Sequence, residues 1–226
     1  MTGAALLALL CAAPAAAQVP YRPLFHVDGE RVLGLALGMA RPTASEGLSR
    51  AAAPGPSLGA DFLRYYGDWT ALGLGLDYHV LGKGADAGPP SVSAKATVAA
   101  LSLLARVNLV QGETWTPYLT GGVGYGLTSL DVTATAAPGS AVCTDVSEAA
   151  TCKAAASVSK SYSGVVVTGA AGFEDFVTQG LSLFLETRYQ QFRLPLSSAS
   201  FPMPQRRGET LAFRIGAHLW LGPSQP

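Results

Sequence analysis

The chain has 226 residues with 15 basic and 15 acidic side chains, is 49% hydrophobic, and carries only 13% charged residues. Zero net charge excludes a basic face for nucleic acid and an acidic tail. Past the amino terminus no apolar run is long enough for a membrane helix, which leaves a large soluble core or a membrane barrel, two cases that periodicity separates.

Residues 1–17 read as a secretory signal. The apolar stretch Ala4 to Ala13 is too short to span a bilayer, and Ala15-Ala16-Ala17 offers a small-residue cleavage site before Gln18. Leu10 before Cys11 is too large for a lipoprotein anchor. Residues 18–30 are assigned to a periplasmic N-terminal segment and 31–226 to one barrel domain. Export leaves Cys143 and Cys152, which in an oxidising compartment most simply pair. Closing so short a loop stabilises by about 2–3 kcal/mol in the chain-entropy model. A metal pair is the rival, but no His or further Cys lies nearby, so no metal is expected.

Eight segments then alternate with a period of two, the repeat of a strand with two unlike faces. The first, Val32 to Arg41, sets Leu33, Leu35, Leu37 and Met39 against Gly34, Ala36, Gly38 and Ala40. The second, Ser57 to Tyr66, sets Leu58, Ala60 and Phe62 against Gly59, Asp61 and Leu63. The third, Thr70 to Leu81, sets Leu72, Leu74, Leu76 and Tyr78 against Gly73, Gly75, Asp77 and His79. The fourth, Val98 to Val110, alternates likewise, although its Ala/Leu-rich sequence also fits a helix. The fifth contains "TPYLTGGVGYG" (116–126), whose G-x-G-x-G spacing is followed by no Lys and no helix, so a phosphate-binding loop is excluded. Gly164 to Phe176, Leu181 to Phe192 and Thr210 to Leu221 complete the set.

The connections run long, short, long, short, long, short, long. The short ones are Gly67-Asp68, Gln111 to Thr114 and Val177 to Gly180; the long ones are Pro42 to Pro56, Gly82 to Thr97, Asp131 to Ser163 and Arg193 to Glu209. Even strand number, short periplasmic turns and longer external loops predict an all-β, eight-stranded antiparallel up-and-down transmembrane β-barrel. One face of each segment is almost purely aliphatic. The other mixes Gly, Ser and Thr with Asp77, Arg106, Glu174, Glu186, Arg188, Arg214, His79 and His218, a set too costly for an apolar core and suited to a polar lumen. Arg64 falls on the aliphatic phase near a strand end, where it can snorkel. Trp69, Trp115 and Trp220 fall near strand ends, as an interfacial belt requires. The glycines of the fifth segment are expected to thin one wall, so that opposite walls can send in long Arg and Glu side chains.

The segments "GLALG" (34–38), "LGLGLDY" (72–78), "TPYLTGGVGYG" (116–126), "ETRYQQF" (186–192) and "LAFRIGAHLWL" (211–221) resemble the small outer-membrane β-barrel proteins of the OmpA/OmpX-like type. The resemblance covers Val32 to Leu221. It implies the outer membrane of a Gram-negative type of cell, surrounding outer-membrane lipid, and the barrel-assembly machinery as partner in biogenesis. It also implies a role in envelope integrity or surface interaction, without catalysis or cofactor. Such proteins often finish on an aromatic residue, whereas this chain continues Gly222-Pro223-Ser224-Gln225-Pro226 after Trp220-Leu221.

Three features are candidates for function. Glu186, Arg188, Arg214 and His218 on neighbouring strands, with Arg106 and Glu174 on other walls, form a charge network that either plugs the lumen or gates a narrow pore for ions or small solutes. Asp77 and His79 share a face near the expected outer rim, as a carboxylate orienting an imidazole. The pair resembles in miniature the Asp-x-His of omptin proteases and defines a remote alternative, an outer-membrane hydrolase. The longest external loop, 131–163, carries the expected Cys143–Cys152 disulfide and is the candidate surface for a ligand. Arg206-Arg207 in the last loop can face lipopolysaccharide headgroups.

Overall fold

The computed structural model describes residues 29–43, 52–67, 69–84, 91–110, 115–135, 142–144, 151–153, 155–178, 180–193 and 207–222. The expected signal segment and residues 18–28 lie outside these. Eight wall strands follow in chain order: β1 (Arg31–Pro42), β2 (Gly55–Tyr66), β3 (Thr70–Lys83), β4 (Ser91–Asn108), β5 (Trp115–Thr135), β6 (Ala155–Thr178), β7 (Leu181–Arg193) and β8 (Arg207–Trp220). Each pairs antiparallel with the next in sequence. β8 returns to β1, from Val32↔Trp220 to Pro42↔Thr210, and closes the sheet on itself. The fold is therefore the expected up-and-down barrel, in which closure removes both sheet edges.

Exposure along the alternating strands identifies the face that meets lipid. Leu35, Leu37, Leu72, Leu76, Leu101, Leu103, Leu127, Leu185 and Ile215 are all more than half exposed on the outer wall, while Asp77, Arg106, Glu174, Arg188 and Arg214 are buried inside. A soluble barrel would reverse this pattern, because water and not hydrocarbon would meet the outer face. Between β2 and β3 the chain reverses through Gly67, whose φ of +74° belongs to the left-handed region that glycine enters without a Cβ clash.

Three expectations are corrected. The fourth segment is the expected strand, but it begins at Ser91 rather than Val98. Residues 131–163 are not one long loop: β5 and β6 stay paired from Leu127↔Ser163 up to Thr135↔Ala155. Beyond them Val142–Thr144 pairs with Thr151–Lys153 as a small ribbon. β4 rises alongside, to Ser91↔Thr135, so one wall stands well above strands of 12 to 14 residues elsewhere.

The third correction concerns polarity. On this raised wall the alternation keeps its period but exchanges its faces. Lys95, Ser129, Asp131, Ser159, Ser161 and Ser163 point outward, while Ala94, Ala96, Val98, Leu130 and Val132 are buried inward. The inward set joins Ala40, Ala52, Leu81, Ala100, Val166, Phe192 and Ala212 in one apolar cluster. The lumen is thus polar in its middle and lower parts, and apolar at the external end. Water outside the raised wall accounts for the exchange, since polar side chains then belong outside and apolar ones inside.

Candidate functional site: the filled lumen

Polar side chains stack in three layers below the apolar cluster. In the central layer Arg188 on β7 reaches three carboxylates: Nη1 to Asp77 Oδ2 at 2.9 Å, Nη2 to Asp61 Oδ2 at 3.2 Å and Nε to Glu186 Oε1 at 2.8 Å. Arg214 on β8 pairs with Asp77 and donates from Nη2 to Glu186 Oε1 at 2.6 Å. Three carboxylates face two guanidinium groups. Further hydrogen bonds reach this layer from Gln190 Nε2 to Asp77 at 2.7 Å and from the Tyr118 hydroxyl to Glu186 at 3.1 Å. Every one of these ions is almost wholly enclosed, which is tolerable only when each charge is paired and hydrogen-bonded.

The layer toward the short turns is built around Glu174 on β6. It pairs with Arg106, accepts a hydrogen bond from the Ser182 hydroxyl, and lies 2.8 Å from His218 Nδ1, which therefore carries the proton. The His218 ring stacks on Phe184 at 4.2 Å, and the Arg106 guanidinium covers the Tyr118 ring at 3.7 Å. Tyr118 thus touches both layers, through its ring below and its hydroxyl above. Trp220 closes the bottom, donating to Ser182 Oγ at 2.8 Å and packing on Tyr65 and Phe176.

Above the centre His79 bonds through Nε2 to Gln190 Oε1 at 2.7 Å and through Nδ1 to Ser57 Oγ at 2.9 Å. An amide oxygen only accepts, so Nε2 holds the proton and Nδ1 accepts from Ser57. The resulting chain runs Ser57, His79, Gln190, Asp77. A hydroxyl facing an imidazole has the chemistry of a base-activated nucleophile, but Ser57 is 1% exposed and lies under the apolar cluster.

The expected residues are regrouped by this geometry. Glu186, Arg188 and Arg214 meet in the central layer, whereas His218 belongs with Glu174 and Arg106. Asp77 is a central ion and not a rim residue, and both ring nitrogens of His79 are engaged by other side chains. Trp69 and Trp115 are half-exposed, Trp115 stacked on Phe173 at 5.2 Å, but Trp220 lies on the lumen side and not in a lipid-facing belt. The site also contains Asp61, Tyr118, Ser182 and Gln190, which no sequence motif marks. Asp61 was legible from its phase on the mixed face; the others signal only through partners on distant strands.

Glycine makes the room, though not where the sequence suggested. A Cβ on Gly122, Gly124 or Gly126 would strike the adjacent strand or its side chains, Leu103, Leu104, Ser102 and Val166. A Cβ on Gly59 would stand 2.2 Å from Arg214 Nη1, so it is Gly59 that admits an arginine. The backbone of the small ribbon sets Cys143 opposite Cys152. Arg206 lies outside the described residues, and Arg207 opens β8 opposite Arg193.

Residues 2–203 match the family profile described as "Outer membrane protein beta-barrel domain". Solved structures with a similar fold include the following three. Ail, the attachment invasion locus protein of Yersinia pestis, is 10% identical, with 86% of this chain and 100% of that one covered and a TM-score of 0.45. Neisserial surface protein A is 15% identical, with 85% and 97% covered and a TM-score of 0.46. OprG from Pseudomonas aeruginosa is 12% identical, with 89% and 100% covered and a TM-score of 0.49. Comparison with curated proteins gave no match.

Proposed function

The chain belongs to the outer membrane β-barrel domain family, is an integral protein of a Gram-negative type of outer membrane, and on that premise we propose that its lumen is a plug and not a passage. Its role is then envelope integrity or surface interaction through the external wall, without catalysis. One observation carries this reading: ion-paired layers cross the middle of the lumen, and an apolar cluster contributed from around the barrel lines the external end. An apolar constriction sheds water, and a paired ion layer leaves few free charges to draw a permeant ion through.

The same reading assigns a signal to residues 1–17, with 18–30 as the periplasmic segment, assembly by the barrel-assembly machinery, and a Cys143–Cys152 disulfide that staples the ribbon above the raised wall. The cross-strand register of the two cysteines supports that disulfide. The surface for a ligand is the 131–163 region, now read as a paired wall with a stapled tip.

Planar-bilayer conductance of refolded protein, wild type beside Glu186→Ala, tests the plug, with folding confirmed by heat-shifted gel mobility. A silent wild type is expected. Discrete wild-type channels whose size or open time changes in the variant would replace the plug with a gated pore.

A further inference from the structure

We propose that Arg31 and Arg64 form a clamp for the phosphate of an anionic phospholipid in the periplasmic leaflet. The two residues are direct cross-strand partners on β1 and β2, and both are exposed on the outer wall. Like charges placed directly opposite each other repel, at Cβ separations of about 5 Å. Neither guanidinium has a carboxylate partner among the described residues. Among the described residues no carboxylate answers this juxtaposition, and an anion is what it lacks.

Position selects the anion. The adjacent outward pair one step toward mid-membrane is Leu33↔Phe62, both exposed and apolar, exposed Leu72 lies directly opposite Arg64 on β3, and the exposed aromatics Tyr66 and Trp69 follow on the turn side. They therefore stand at headgroup depth, at the end of the barrel that carries the short periplasmic turns. Tyr66 holds the Arg64 guanidinium at 5.4 Å from its ring and fixes the direction of one arm. Guanidinium forks match phosphate oxygens, and two of them facing one phosphodiester convert a repulsive pair into charge-assisted hydrogen bonds. Arg41, at the opposite rim, faces Leu211 across the strands and lies over Phe213, with no second arginine as its partner. It is the natural control. The inference rests on the membrane setting alone and is independent of whether the lumen conducts.

The test is native mass spectrometry of the refolded full chain in detergent, titrated with dioleoyl phosphatidylglycerol or dioleoyl phosphatidylcholine. Wild type is expected to retain one phosphatidylglycerol on the order of tenfold more tightly than R31Q/R64Q, with each single variant between them. R41Q should match wild type, phosphatidylcholine should bind weakly to all, and millimolar inorganic phosphate should leave the bound lipid in place. Equal retention by wild type and the double variant overturns the clamp. So does an equal loss in R41Q, which would mark a general charge effect, and displacement by inorganic phosphate would mark a free-anion site. Both side chains face outward, so the variants should fold; if the double variant shows no heat-shifted band, the two single variants decide the matter.

Discussion

At the residue scale the lumen is a network of ion pairs whose worth depends on completeness. Arg106 and Glu174 are both almost fully buried and paired to each other. Removing one leaves an unpaired ion in a site closed to water, a loss of about 3–5 kcal/mol, whereas replacing both by apolar groups of similar volume is often close to neutral. Arg106→Leu and Glu174→Leu are each expected to lower the temperature at which the heat-shifted band converts, and the double variant to recover most of the loss. Additive losses would show that the pair acts through separate partners, such as Asn108 for Arg106 and Ser182 for Glu174. Glycines divide in the same way. Gly59→Ala drives a Cβ into Arg214 and should cost about 1–3 kcal/mol by the same thermal readout. Gly121→Ala, on the lipid-facing wall with nothing within 4 Å, should be neutral.

At the element scale the raised wall of β4, β5 and β6 follows a different solvent rule from the barrel beneath it. Its inward face is dry and its outward face is wet, so a charge is tolerated on one and not on the other. Leu130→Asp buries a carboxylate among Ala96, Val98 and Val132 and should make residues 128–163 cleavable by protease, while the heat-shifted band persists. Ser161→Asp, on the outward face opposite Ser129, should leave the protease pattern unchanged. Cleavage in both variants would mean that the upper part of the wall is not held by its apolar face. The alternation in this region was visible in the sequence. Its exchange of sense was not, because period two reports only that two faces differ; which face meets water depends on where the strand leaves the membrane.

For the whole molecule the decisive quantity is height. The lipid-facing band runs round all eight strands, but only three continue far above it, so the protein presents one tall flank with a ribbon at its tip. In a C143A/C152A background, Ser159→Cys should react with a membrane-impermeant maleimide on intact cells, and Asp175→Cys, toward the short-turn end of β6, should not. The reverse pattern would invert the orientation in the membrane.

The sequence by itself determined the strand count, the antiparallel order, the identity of the lipid face and the presence of ionisable groups in the lumen. These follow from local alternation and from connection lengths, which the chain carries in consecutive residues. Only the tertiary structure decided which charges meet. Glu174 with His218, Arg188 with Asp61, and Tyr118 with Glu186 join strands distant in sequence, at heights set by barrel closure and strand stagger. It also decided that residues 131–163 extend a wall. Pairing between β5 and β6 is a long-range property of the register, and the many Ala, Ser and Thr residues of that stretch fit a loop and a solvent-exposed strand equally well.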